Sequence, residues 1–109
     1  MNVAILGGSV TPKNYKLLDQ KLNELIEEKQ CYLFTILCGG TSMTTCDQIT
    51  LGRMWAERNG APVRWIFGPA AAVLNKADYI IFMYDGSQQM KNLIMKYKMM
   101  GKHGSVINI

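Results

Sequence analysis

What this 109-residue sequence lacks narrows what it can be. Cysteine is scarce. Cys31, Cys38 and Cys46 are an odd number with no CxxC spacing, so they read as reduced thiols rather than a disulfide framework. His103 is the only histidine and lies far from those thiols in sequence, which argues against a zinc site or a Cys–His catalytic pair. No apolar run is long enough to span a bilayer: Tyr79 to Tyr84 is closed by Asp78 on one side and Asp85 on the other. The opening Met1-Asn2-Val3-Ala4-Ile5-Leu6 has no basic region and too short an apolar stretch for a secretory signal, so the expected compartment is the cytoplasm. Neither GxGxxG nor GxxxxGK[ST] occurs, so the ordinary dinucleotide and P-loop fingerprints are missing. A Pro/Ser-rich linker, a low-complexity tract and an internal repeat are missing too, and one domain over 1–109 is expected.

Acid is absent from the last segment. Residues 1–85 balance eight Lys and Arg against eight Asp and Glu, so the net charge of +4 resides entirely in Lys91, Lys96, Lys98 and Lys102. Helical spacing places Lys91, Lys98 and Lys102 on one stripe, a surface for phosphate or simply for solvent. Tyr97 projects to the other side and no arginine follows Arg64, so weak nucleic-acid binding is the most this stripe predicts.

What is present is regular. At 49% hydrophobic and 18% charged the chain has ample material for a core, which excludes intrinsic disorder. Strand and helix alternate from end to end. Val3 to Leu6 reads as a buried strand, followed by a helix from about Asn14 to Lys29 whose Leu18, Leu22, Leu25 and Ile26 share one face. Tyr32 to Leu37 reads as a second strand, then a helix from near Asp47 to before Gly60, then a strand over 63–67. A short helix at 70–74, a strand at 79–84, a helix ending at Gly101 and a strand at 105–109 complete the series. Met90, Leu93, Ile94 and Tyr97 share one face of the last helix, whereas Met95 and Met99 share another, which points to a homodimer or higher homo-oligomer. The other methionines, with Trp55 and Trp65, are expected to pack rather than to bind.

Five such units predict an α/β fold: a Rossmann-like, five-stranded parallel sheet in the order 3-2-1-4-5. Ligands of such sheets bind at the carboxyl ends of the strands, near the point where strand order reverses. That rule selects three turns: Gly7-Gly8-Ser9, Gly39-Gly40-Thr41-Ser42 and Asp85-Gly86-Ser87. Glycine lets main chain approach a ligand, and a helix start offers amides to an anion. Ser9, Ser42 and Ser87 have no recognisable base beside them; Asp47 and Asp85 also suit helix-capping and turn roles.

The motifs also carry a resemblance. Thr50-Leu51-Gly52-Arg53-Met54-Trp55-Ala56-Glu57-Arg58-Asn59-Gly60, after Gly39-Gly40, resembles the TLGxxWAxxNG helix of the small YspA-like branch of the SLOG superfamily. Ala77-Asp78 through Asp85-Gly86-Ser87, with Leu93-Ile94, is similar to that branch's second half. The resemblance implies a Rossmann-like fold for nucleotides or nucleotide-derived ligands, and small stand-alone members are often phage-encoded. Relatives include phosphoribohydrolases and the DNA-processing protein DprA.

Gly68-Pro69-Ala70-Ala71-Ala72 stands where the family has GP-x-RN, and the family's PGGxGT motif with its catalytic glutamate is missing. The expectation is therefore binding of a nucleotide-like small molecule, for sensing or sequestering, without catalysis, cofactor or metal. Gly7, Gly8, Ser9, Gly39, Gly40, Thr41, Ser42, Asp85, Gly86 and Ser87 would line the site, and Asp47 would accept a ribose hydroxyl. The alternatives are a nucleoside-monophosphate phosphoribohydrolase and a DprA-like nucleic-acid binder.

Overall fold

A computed structural model describes residues 1–30, 33–40 and 50–109. The chain runs β1 (Asn2–Gly7), α1 (Pro12–Lys29), β2 (Thr35–Gly40), α2 (Leu51–Asn59), β3 (Val63–Phe67), α3 (Ala70–Lys76), β4 (Tyr79–Tyr84), α4 (Gln88–Met99) and β5 (His103–Asn108). All four strand pairings are parallel and the order is β3-β2-β1-β4-β5, as the strand–helix alternation predicts.

The pleat divides the core in two. Val3, Ile36, Ile81 and Met83 face α1 and α2, where Leu18, Leu22, Leu25, Leu51 and Trp55 cover them. Ala4, Leu37, Ile80 and Phe82 face α3 and α4, under Val73, Leu74 and Met90. A sheet buried on both faces needs continuous apolar strands, and β4 is buried from Tyr79 through Met83.

Local chemistry fixes the helix starts. Thr11 caps α1 by accepting the Asn14 N–H at 3.2 Å, and Pro12 opens the helix where its missing N–H costs nothing. This pair moves the start two residues ahead of the expected Asn14. Thr50 caps α2 through the Arg53 N–H at 3.1 Å, and Ser87 caps α4 through the Met90 N–H at 3.3 Å.

Three expectations are corrected. β2 lies over Thr35–Gly40, not 32–37: Leu33 is exposed and outside the sheet, while Cys38, Gly39 and Gly40 still pair with Trp65, Ile66 and Phe67. Hydrophobicity marked the wrong end because two glycines occupy ladder positions. β5 starts at His103 rather than Ser105, since Gly104 pairs with Ile80 where a side chain would meet the Ile80 carbonyl and the Tyr97 ring. Lys102 is not on the stripe of α4. It lies beyond the helix, and its Nζ donates to the Asn75 and Ala77 carbonyl oxygens, each at 3.0 Å, at the end of α3.

Among the described residues, no helix is long and apolar enough to cross a membrane.

Candidate functional site

Parallel pairing brings the ends of β1, β2 and β4 to one edge of the sheet. Between β1, β2 and the start of α2 lies a cleft of about 420 Å³. Gly7, Gly8 and Ser9 form one wall, Cys38 and Gly39 the second, and Thr50, Leu51 and Gly52 the third. Gly7 and Gly8 have φ of +80° and +84°, left-handed values that let the chain leave β1 and double back towards α1. The lining among the described residues carries no carboxylate and no amine, so an anion entering it meets amides and hydroxyls without like charge.

A residue that pattern reading missed holds the first wall. Asn14 is buried, and its Nδ2 donates to the Ser9 carbonyl oxygen at 3.0 Å and to Ser9 Oγ at 3.4 Å. A polar residue on the apolar face of a predicted helix, five positions after a glycine turn, was the available signal. On the other side, Cys38 Sγ is 3.7 Å from Thr50 Oγ1, which ties the end of β2 to the cap of α2.

Gly39 has a packing role as well. A Cβ there would collide with Val73 Cγ2 and lie 3.0 Å from the Ile66 carbonyl oxygen, so the bare α-carbon lets α3 lie close on β2. Gly52 behaves likewise against Ile5 at 3.2 Å and Ile36 at 3.3 Å.

The TLGxxWAxxNG segment is thus helix architecture. Thr50 caps, Leu51 is buried and Gly52 permits close packing. Trp55 Nε1 donates to Asp19 Oδ1 at 2.9 Å, Asn59 Nδ2 donates to the Trp55 carbonyl oxygen at 2.8 Å, and Gly60 ends the helix.

The β4–α4 turn lies at the same edge but does not line the cleft. At the β1–β4 junction, Met90 Cε and the Met83 carbonyl oxygen occupy the space beside Gly7. Asp85, Gly86 and Ser87 are exposed, and the Ser87 N–H donates to Asp85 Oδ1 at 2.9 Å, an Asx turn leading into the cap of α4. Those bonds, from the Ser87 amide first and its hydroxyl second, hold the Asp85 carboxyl below the ordinary aspartate pKa. Thr41, Ser42 and Asp47 lie outside the described residues, as do Cys31 and Cys46. Gly40 ends β2 and pairs with Phe67. Among the described residues, no three His, Cys, Asp or Glu side chains gather as metal ligands.

In comparisons with known proteins, no family model, curated protein or solved structure matches this chain.

Proposed function

We propose that the cleft between β1, β2 and α2 binds a nucleotide or nucleotide-derived small molecule, and that the protein senses or sequesters it without turning it over. One observation carries this reading. At the carboxyl edge of a parallel sheet ordered 3-2-1-4-5, two left-handed glycines, Gly39 and the capped start of α2 enclose a cleft whose lining, among the described residues, carries no acid. The resemblance of the α2 segment to the YspA-like SLOG branch agrees with it.

The phosphoribohydrolase alternative needs a carboxylate or another base at the reacting bond. The described lining of the cleft offers none, and Asp85 is not part of that lining. Two measurements test the proposal. A nucleotide at about 100 times its dissociation constant should stabilise the fold by about 2.7 kcal/mol in a thermal-shift screen. Chromatography of AMP incubated with the protein should show no free adenine above background. A screen of nucleotides and cyclic nucleotides with no shift would remove the binding reading; adenine release lost in Asp47→Asn would replace it with the hydrolase.

A further inference from the structure

We infer that the hollow beside the cleft receives the planar base of the ligand, stacked on Arg58. This rests on the nucleotide reading of the cleft and extends it. The hollow has a volume of about 320 Å³ and is lined by Val10, Thr11, Pro12, Tyr15, Met54 and Arg58. Val10 lines the cleft too, so the two spaces adjoin at one residue.

Their chemistries are complementary halves of one ligand. The cleft offers main chain and hydroxyls, which suit a small anionic end. The hollow offers Val10, Pro12, Tyr15 and Met54 as apolar wall with one planar cation, which suits a flat, partly polar ring. Helix α2 fixes the spacing. Gly52 borders the cleft and Arg58 the hollow, six residues on, or about 9 Å along the helix axis. That is the scale of a phosphate, a sugar and the near edge of a base.

Arg58 is built as a platform. Its guanidinium carbon lies 4.6 Å from the centroid of the Tyr15 ring, and Asn59 Nδ2 donates to the Tyr15 hydroxyl at 3.4 Å. Arg53 on the same helix pairs with Glu57 at 3.4 Å, whereas Arg58 has no carboxylate partner among the described residues. The guanidinium lies over the tyrosine ring. Arg58 is exposed, so its plane can take a base, as arginine planes do in single-strand nucleic-acid recognition.

Calorimetric titration of the whole chain with AMP, GMP and ribose 5-phosphate tests this. The wild-type protein should bind AMP or GMP about ten-fold or more tightly than ribose 5-phosphate, the usual yield of one stacked base. Arg58→Ala should bring the nucleotides to the ribose 5-phosphate level and leave ribose 5-phosphate unchanged. Arg58→Lys should do the same, because it keeps the charge and loses the plane. Met54→Trp, which fills the hollow, is an independent variant with the same expected pattern. Equal wild-type affinity for all three ligands, or a nucleotide preference that survives Arg58→Lys, would overturn the stacking and leave the cleft reading intact. No binding by any of the three would overturn this inference, while the wider screen of nucleotides and cyclic nucleotides decides the cleft reading.

Discussion

The Asn14 side-chain amide donates to the Ser9 carbonyl oxygen at 3.0 Å, so the first turn of α1 holds the turn that leaves β1. Helix and glycine turn are therefore one unit: the helix cannot shift without moving a wall of the cleft. Asn14→Leu removes the donor from a buried position and should cost about 1–3 kcal/mol. For a domain of this size, each kcal/mol lowers Tm by roughly 4–8 °C. Ligand affinity should fall along with stability. An unchanged melting temperature in Asn14→Leu would show that the bond does not hold the turn.

Gly39→Ala should destabilise through overpacking against Val73, by about 1–3 kcal/mol. Val73→Ala in the same chain should recover part of that loss, with a coupling of roughly 0.5–3 kcal/mol in a double-mutant cycle by urea unfolding. Strict additivity would mean that Gly39 is needed for something other than the closeness of α3.

Asp85 carries a pH dependence with a definite sign. Its folded-state pKa lies below the ordinary 3.8, so its stabilising contribution is complete above that value and is lost as pH falls through the folded-state pKa. The advantage of the wild-type protein over Asp85→Asn should therefore be flat at neutral pH and vanish in acid. Carbon NMR of the carboxyl should show a midpoint below 3.8, moved upward in Ser87→Ala but not fully restored, because the Ser87 amide remains. A midpoint at or above 3.8 in the wild-type protein would refute this.

Met95 and Met99 are 56% and 88% exposed on the face of α4 opposite the sheet, and we expect them to join two copies of the chain. Lys91, Lys96 and Lys98 on the same helix would then meet their counterparts with no acid between them. Light scattering should show a homodimer that tightens as salt screens this repulsion, and that Met99→Lys dissociates. A monomer at high concentration and high salt would remove the interface.

With Lys102 engaged at the end of α3, two lysines rather than three remain of the stripe on α4. Binding to DNA or RNA should therefore be weak, with a slope of log K against log salt of about −2. Fluorescence anisotropy of labelled oligonucleotides at about 150 mM salt measures it. Submicromolar binding abolished by Lys91→Glu with Lys98→Glu would favour the DprA-like alternative.

The order of the sheet was legible because its evidence is periodic: apolar strands bounded by glycine or aspartate, and helices with one leucine face. Boundaries were legible where hydrophobicity ended with the strand, as at Tyr79–Tyr84. They were not at β2, where Gly39 continues the ladder for the sake of Val73, a neighbour 34 positions on. The site divided in the same way. Glycine turns can be found by composition, but Asn14 and the Arg58–Tyr15 stack join residues from separate elements. Met90 closing the gap beside Gly7 is likewise a product of packing that no local pattern encodes.

The seam between β1 and β4 has a consequence for how the chain reaches this state. Val3–Gly7 pair with Tyr79–Met83 across some 76 positions, and Asn2 and Asp78 exchange bonds of 2.8 Å at the foot of the same seam. β1, β2 and β3 thus form one half-sheet and β4 with β5 another, joined only along that line. Neither half can bury its inner edge alone. Closing a loop this long precedes most of the reward for closing it, which makes seam formation the expected slow event of folding. The strand that delivers the glycine turn is also the strand on which the halves meet, so the first wall of the cleft borders the seam, with Met83 of β4 packed beside Gly8.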